Sequence, residues 1–141
     1  MSEQMYDREI KSRIVEYWTR RSGDFARQRY SELHSYMADL WMQEILPYLP
    51  QDKERCRILD IGTGTGFFPL LLAREGYQAE GIDLTCSMIE KANSLARIEG
   101  SSAVFKVMDA ENLDYADETF DIVLTRNLTW TLPDPLKACK T

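Results

Sequence analysis

The chain has 141 residues, 44% hydrophobic and 28% charged, which indicates one folded domain rather than a disordered or fibrous protein. Its 17 basic and 23 acidic residues leave a net charge of −6, which disfavours binding to nucleic acid and to anionic lipid. No apolar stretch approaches the about 20 residues that a membrane helix needs, and the amino terminus has no apolar core of the signal-peptide kind.

Residues 1–54 predict an N-terminal helical cap, or lid, made of two helices. In the first helix, apolar side chains recur every four residues across positions 10–18. The triplet Ser22-Gly23-Asp24 is expected to end this helix, and either Ser22 or Asp24 is expected to cap the next one.

The second predicted helix carries an apolar stripe across positions 30–45 and is expected to end at Pro47. Seven basic residues within positions 8–29 indicate a solvated helix face. The alternative is that some of these arginines face an acidic substrate.

Residues 55–141 alternate strands with helices and therefore predict an α/β domain with a parallel sheet. We expect about four strands in the order 3-2-1-4, with helices on both faces. The predicted elements are a strand at 57–61, a helix at 67–74, a strand at 77–82, a helix at 86–98, and strands at 103–107 and 120–125.

Local sequence signals predict where the two helices in this part of the chain, 67–74 and 86–98, begin and end. Gly76 and Gly100 are expected to end them, because glycine adopts the left-handed conformation at a helix C-terminus. Ser87 and Glu90 have the spacing of a capping box for the second helix. Pro69 is tolerated only in a first turn, so the first helix is expected to begin no earlier than about Gly66.

The segment Asp60–Gly66, with the sequence DIGTGTG, joins the first of these strands to the helix that follows it. Glycines let the backbone approach a ligand closely, and the helix directs free N–H groups toward it. The segment lacks the lysine of a P-loop, and Phe67 stands where the dinucleotide fingerprint needs its third glycine. An acidic residue at the strand end disfavours a pyrophosphate and favours a cation. A nicotinamide-dependent oxidoreductase remains an alternative.

Three segments resemble motifs of the class I S-adenosylmethionine-dependent methyltransferases. ILDIGTGTGFFPLLLA (58–73) is similar to their first motif, and GIDLTCSMIEKA (81–92) to their second-strand segment. VMDAENLDYADETFDIVLTRNLTW (107–130) is similar to their third- and fourth-strand segments. The resemblance covers residues 55–135 and is closest to small-molecule methyltransferases with a helical cap. It implies a Rossmann-like fold, S-adenosyl-L-methionine as cofactor, and a small-molecule methyl acceptor.

The resemblance also implies which residues hold the cofactor. Asp60 and the glycines after it would contact the methionine and ribose parts, Asp83 would accept ribose hydroxyls, and Asp109 would accept the adenine amino group. The implied set is Asp60, Gly62, Thr63, Gly64, Thr65, Gly66, Asp83, Leu84, Met88, Asp109, Ala110, Arg126 and Asn127.

The substrate side is less defined by the sequence. Tyr17, Arg20 and Trp130 are candidates for lining the acceptor pocket, although Tyr17 and Trp130 also suit a core. Methyl transfer needs a general base only when the acceptor is protonated, and no residue is assigned to that role.

Cysteine and histidine are too few for a disulfide framework or a metal site. The cysteines stand at 56, 86 and 139, form no CxxC pair, and accompany a single histidine. This pattern is typical of a reducing compartment, so we expect a cytoplasmic protein without a bound metal.

The family's sheet normally has seven strands, whereas this chain supplies four and begins another helix at Asp134. We therefore expect an engineered truncation, a natural fragment or a shortened protein. Its fourth strand would form an exposed edge that favours self-association. The alternative function is an S-adenosylmethionine-binding module without turnover, because the strands that shape the substrate side are absent.

Overall fold

The structure, a computed structural model, describes residues 3–116 and 119–125. Short 3₁₀ turns at Leu46–Tyr48 and Lys53–Arg55 connect the amino-terminal helices to the sheet. None of the helices in these ranges is both long enough and apolar enough to span a bilayer. The helices are α1 (Glu3–Leu33), α2 (Tyr36–Ile45), α3 (Phe67–Arg74) and α4 (Cys86–Glu99), and the strands are β1 (Arg57–Ile61), β2 (Gln78–Asp83), β3 (Val104–Val107) and β4 (Ile122–Thr125).

The four strands form one parallel sheet in the order β3-β2-β1-β4, which confirms the predicted order. Leu59 of β1 pairs with Glu80 of β2 and with Val123 of β4, and Glu80 also pairs with Val104 of β3. Parallel strands end at the same edge of a sheet, and ligands of such sheets bind in the crevice at that edge. The crevice therefore lies where β1, β2 and β3 lead into their loops.

The two faces of the sheet are covered differently. On one face, all four described helices pack on Ile58, Ala79 and Phe105 through a single apolar core. On the other face, Leu59 and Ile82 contact Ala110 and the segment that follows β3. Within the described ranges, helices therefore lie on one face only, and the helix predicted at Asp134 lies outside those ranges.

The first helix is longer than predicted, and the expected break and N-cap at Ser22-Gly23-Asp24 are wrong. α1 continues through this triplet, and Gly23 does not adopt a positive φ. A glycine inside a helix costs only about 1 kcal/mol relative to alanine, which pairs between neighbouring turns partly offset. The flanking pairs are Glu16 with Arg20 and Asp24 with Arg27.

The boundary between the first two helices lies at Ser35 instead. Its hydroxyl accepts the N–H of Met37 at 3.2 Å, so Ser35 is the N-cap of α2. The apolar stripe at positions 30–45 is therefore divided between two helices. α2 ends at Ile45, before Pro47, as the sequence predicts.

In the sheet domain, most predicted helix ends are confirmed. α3 begins at Phe67, which places Pro69 in the first turn. Gly76 and Gly100 have φ values of +97° and +62° and follow the last residues of α3 and α4 closely.

The predicted capping box of α4 is wrong. The N-cap residue is Thr85, and α4 begins at Cys86. The Ser87 hydroxyl has no hydrogen-bond partner in the described structure. The N–H of Thr85 donates to Asp83 Oδ1 at 2.8 Å, so a carboxylate at the end of β2 organises the helix start.

Candidate functional site

The loop between β1 and α3, residues 62–66, is called the glycine loop below. Gly62, Gly64 and Gly66 have φ values of +73°, +59° and +88°, which side chains with a Cβ rarely adopt. Gly66 is also packed: a Cβ there would lie 2.5 Å from the Phe105 ring and 3.2 Å from Ala92. The loop is therefore fixed both by backbone conformation and by close packing on β3 and α4.

Most N–H groups of the glycine loop donate within the protein. Phosphate-binding loops instead direct several free N–H groups at the ligand. This loop consequently has few amides left for a pyrophosphate. The internal bonds run from Gly62 and Thr63 to the Ile82 carbonyl (2.9 Å each), from Gly64 to Asp83 Oδ2 (2.9 Å) and from Gly66 to the Thr63 carbonyl (3.0 Å).

Asp83 joins β2, the glycine loop and the start of α4. Its Oδ2 accepts the Gly64 N–H and its Oδ1 accepts the Thr85 N–H. Burial raises the pKa of Asp83, and these backbone hydrogen bonds lower it only in part. The Leu84 N–H and the Thr85 side chain also interact favourably with this carboxylate. An ionised carboxylate is an acceptor only, so a ligand hydroxyl that binds Asp83 would share its oxygens with these donors.

Two threonine hydroxyls of the glycine loop are buried without a partner in the described structure. Thr63 is 7% exposed and Thr65 is 1% exposed, and neither Oγ1 is hydrogen-bonded. A buried hydroxyl without a partner costs about 1–3 kcal/mol, and a bound ligand or water can remove this cost. These orphaned groups fit a loop that is completed by a polar ligand.

Asp109, in the loop after β3, contacts the amino-terminal helix. Its Oδ2 accepts Lys11 Nζ at 2.7 Å and the Asn112 amide at 3.3 Å, and its Oδ1 accepts the Glu111 N–H at 2.9 Å. Burial alone would raise the pKa of Asp109, but these hydrogen bonds and the Lys11 charge hold it below its usual range. Asp109 is therefore a carboxylate at neutral pH.

Sequence reasoning missed Lys11 and Glu111, which belong to this cluster. Lys11 Nζ also lies 3.3 Å from Glu111 Oε2. One sequence signal was present: Lys11 lies three and four residues before Ile14 and Val15, and therefore on the same face of the helix. In the structure all three side chains are half-buried, which is an unusual place for a lysine without a partner. Its actual partners lie about a hundred residues away, and no local pattern identifies them.

The remaining predicted cofactor residues differ in burial, and two of them lie outside the described residues. Asp60 is buried at the end of β1, beside the glycine loop, and Leu84 is half-buried. Met88 and Ala110 are buried, and Ala110 packs against the second face of the sheet. Arg126 and Asn127 lie outside the described residues, as does Trp130, a predicted substrate residue.

The two substrate candidates on α1 lie on its outer side. Tyr17 is 51% exposed, and the Arg21 guanidinium lies 5.3 Å from the centre of its ring. Arg20 is exposed and pairs with Glu16 one turn earlier. The structure does not place either residue at the glycine loop, and the paired arginines favour a solvated helix face.

The charge of the crevice suits a cation better than a phosphate. Four carboxylates, two at the strand ends and two after β3, lie along it, while Lys11 is paired with two of them. A nucleoside with a positive sulfonium and ammonium group, S-adenosylmethionine, fits these charges, the internally bonded loop and the acceptor-only carboxylate of Asp83. The carboxylates are Asp60, Asp83, Asp109 and Glu111.

Comparison with curated proteins identifies methyltransferases. The chain is 44% identical over 80 residues to demethylmenaquinone methyltransferase of Roseiflexus castenholzii, covering 52% of this chain and 32% of that protein. It is 35% identical over 85 residues to the methyltransferase YcgJ of Bacillus subtilis, covering 60% of this chain and 34% of that protein. The chain thus spans about a third of the length of these relatives.

Solved structures agree with this assignment. The crystal structure of YcgJ is 29% identical with a TM-score of 0.62, covering 74% of this chain and 43% of that one. The tRNA (uracil-54, C5)-methyltransferase of Pyrococcus abyssi, solved with S-adenosyl-L-homocysteine, is 28% identical with a TM-score of 0.52, covering 63% of this chain and 21% of that one. A family model described as a methyltransferase domain matches residues 52–141. The chain therefore belongs to the methyltransferase-domain family, of the class I S-adenosylmethionine-dependent type.

Proposed function

We propose that the protein containing this chain transfers a methyl group from S-adenosylmethionine to a small-molecule acceptor. The observation that carries the proposal is the glycine loop, most of whose amides are bonded internally, one of them to the acceptor-only carboxylate of Asp83 at the end of β2. Family membership and the fold support the same chemistry. The sulfonium of the bound cofactor supplies an already activated methyl group.

The chain's own residues would bind and orient the cofactor. Asp83 would accept the ribose hydroxyls, and the buried Asp60 would favour the positive methionine end beside the glycine loop. Asp109 would accept the adenine amino group. Holding the methyl group in line with an acceptor lowers the barrier by several kcal/mol through orientation alone, so no strong base is required for every acceptor.

Calorimetric titration with S-adenosylhomocysteine and with NAD tests the cofactor. We expect the homocysteine nucleoside to bind and NAD to give no heat of binding, because the loop has few free amides for a pyrophosphate. NAD binding without S-adenosylhomocysteine binding would replace the proposal with a nicotinamide-dependent oxidoreductase.

Turnover is a separate question from cofactor binding. Because the chain spans about a third of its curated relatives, a binding module without turnover is the second candidate function. A methyl-release assay on this chain with a panel of small acceptors distinguishes the two. Turnover by the 141-residue chain would exclude the module.

We also propose a domain boundary at residues 54/55, a small-molecule acceptor, self-association of the chain and a cytoplasmic location. The family match begins near that division, at residue 52. A net charge of −6 supports a small acceptor rather than a nucleic acid. Within the described ranges no strand pairs with the outer edge of β4, which supports self-association there. The free Cys56 and Cys86 support a reducing cytoplasm.

A further inference from the structure

Helix α1 contacts the sheet domain near both of its ends. At its C-terminal end, Arg74 of α3 donates to the Leu33 carbonyl at 3.2 Å, and the next residue, His34, lies 2.6 Å from Glu99 at the end of α4. Toward its N-terminal end, Lys11 contacts the loop after β3.

Helix geometry explains how α1 reaches the crevice. The 14 residues of α4 extend about 21 Å, whereas positions 11–33 of α1 extend about 33 Å. α4 begins at the crevice edge of the sheet and ends at the opposite edge. α1, which is joined to the far end of α4, therefore extends beyond the start of α4 and over the crevice edge.

The contact at that edge is a partly buried ion cluster, which we call the Lys11 cluster: Lys11, Asp109 and Glu111. The lysine nitrogen lies 2.7 Å from Asp109 Oδ2 and 3.3 Å from Glu111 Oε2. The Glu111 side chain is only 2% exposed, and Lys11 and Asp109 are about four-fifths buried. Carboxylates so placed need a cation, because an unpaired buried charge is strongly unfavourable.

We infer that Lys11 is a positioning residue of the cofactor site, holding the Asp109 carboxylate in place so that cofactor affinity depends on the docking of α1. The inference rests on the proposed function, since Asp109 is placed there at the adenine end. It adds a residue from the helical cap to a site that the sequence confines to the sheet domain.

Loss of Lys11 would remove the cation that contacts both the Asp109 and the Glu111 carboxylates. Among the described residues, the groups that hydrogen-bond the Asp109 side chain are Lys11 Nζ from α1 and, from its own loop, the Glu111 N–H and the Asn112 side-chain amide. The Asp109 carboxylate would then be free to shift, and the pKa that Lys11 holds low would rise. Either change removes an acceptor that is fixed in the present structure.

Lys11→Met tests the inference by calorimetry with S-adenosylhomocysteine. We expect affinity about tenfold lower than that of the unchanged chain, equal to about 1.4 kcal/mol. We expect the deficit to grow as the pH falls, because Asp109 loses the cation that holds its pKa low. Lys11→Arg should restore the affinity to within about a factor of three, since arginine keeps the charge.

Arg13→Met is the matched control, because Arg13 lies on the same helix and, among the described residues, pairs with Glu9 one turn earlier. It should leave the affinity unchanged at each pH. Unchanged or tighter binding by Lys11→Met would overturn the inference, since Lys11 would then be structural only or a competitor of the adenine group.

Hydrogen exchange of the unliganded chain separates this inference from the proposed function. Lys11→Met should reduce amide protection in the first half of α1, whereas Arg13→Met should not. If the unchanged chain fails to bind S-adenosylhomocysteine, the proposed function fails, whatever the exchange result. If it binds, and Lys11→Met loses protection without losing affinity, only the positioning role fails.

Discussion

Asp83→Ala is expected to weaken S-adenosylhomocysteine binding by about 2–3 kcal/mol, or roughly 30- to 150-fold, which is the loss of two charge-assisted hydrogen bonds to ribose hydroxyls. The substitution also removes the acceptor of the Gly64 and Thr85 N–H groups, so the glycine loop loses one of its links to β2. Isothermal calorimetry measures the effect. Asp114→Ala, which removes an exposed acid, should change affinity little.

The Asp83 carboxyl should make both the stability of the fold and the affinity for the cofactor depend on pH, and the two should change in opposite directions. The pKa of Asp83 is raised in the folded state, so folding favours its protonated form. The contribution of Asp83 to stability therefore falls as the pH rises from its unfolded-state pKa through its folded-state pKa. Ribose hydroxyls instead need the carboxylate, so affinity should fall as pH decreases through the raised pKa. Asp109, whose pKa is lowered, stays ionised over that range.

Asp83→Asn distinguishes this explanation from a general effect of acid. The amide does not titrate, so the variant should bind weakly and with little change between neutral and mildly acidic pH. A slope equal to that of the unchanged chain would assign the titration to another group.

Gly66→Ala is expected to lower the free energy of unfolding by about 2–4 kcal/mol. Two causes add: a φ of +88° is strained for alanine, and the new Cβ would overlap the buried Phe105 ring at 2.5 Å. Urea denaturation measures the change. Because Gly66 also shapes the glycine loop, cofactor binding should weaken in parallel.

Two further variants separate strain from overlap. Gly100→Ala imposes a similar φ, +62°, with no atom within 4 Å of the added Cβ, so it should cost only about 1 kcal/mol. Phe105→Leu removes ring atoms that the new Cβ would contact. The double variant should therefore be more stable than the sum of the two single effects predicts. Strict additivity would show that overlap with Phe105 is not the cause.

The strand order and the glycine loop were predictable because local rules and packing rules agree there. Asp60–Gly66 separates an apolar strand from a helix, and glycine is the residue that tolerates the left-handed conformations found at three of its positions. Gly76 and Gly100 ended helices for the same reason. The roles of individual site residues stay predictions, with Asp83 the best supported by its contacts.

Predictions from local sequence rules failed where contacts between distant parts of the chain determine helix ends and side-chain partners. The break predicted at Ser22-Gly23-Asp24 does not form, because α1 packs along α3 and α4 and this packing outweighs a small local preference. Ser87 does not cap α4, because Asp83 from β2 binds the backbone at that helix start. Lys11 meets Asp109 only after the chain has folded, so no window of sequence contains the pair.

The internal bonding of the glycine loop limits how the protein could be redesigned. Replacing Phe67 by glycine would restore the spacing of a dinucleotide fingerprint, yet the backbone donors would still be engaged with Ile82, Asp83 and Thr63. An engineer seeking hydride-transfer chemistry would have to rebuild the β2 end as well as the loop. In this protein, the choice of cofactor therefore depends on the ends of the neighbouring strands β1 and β2 and not on the glycine loop alone.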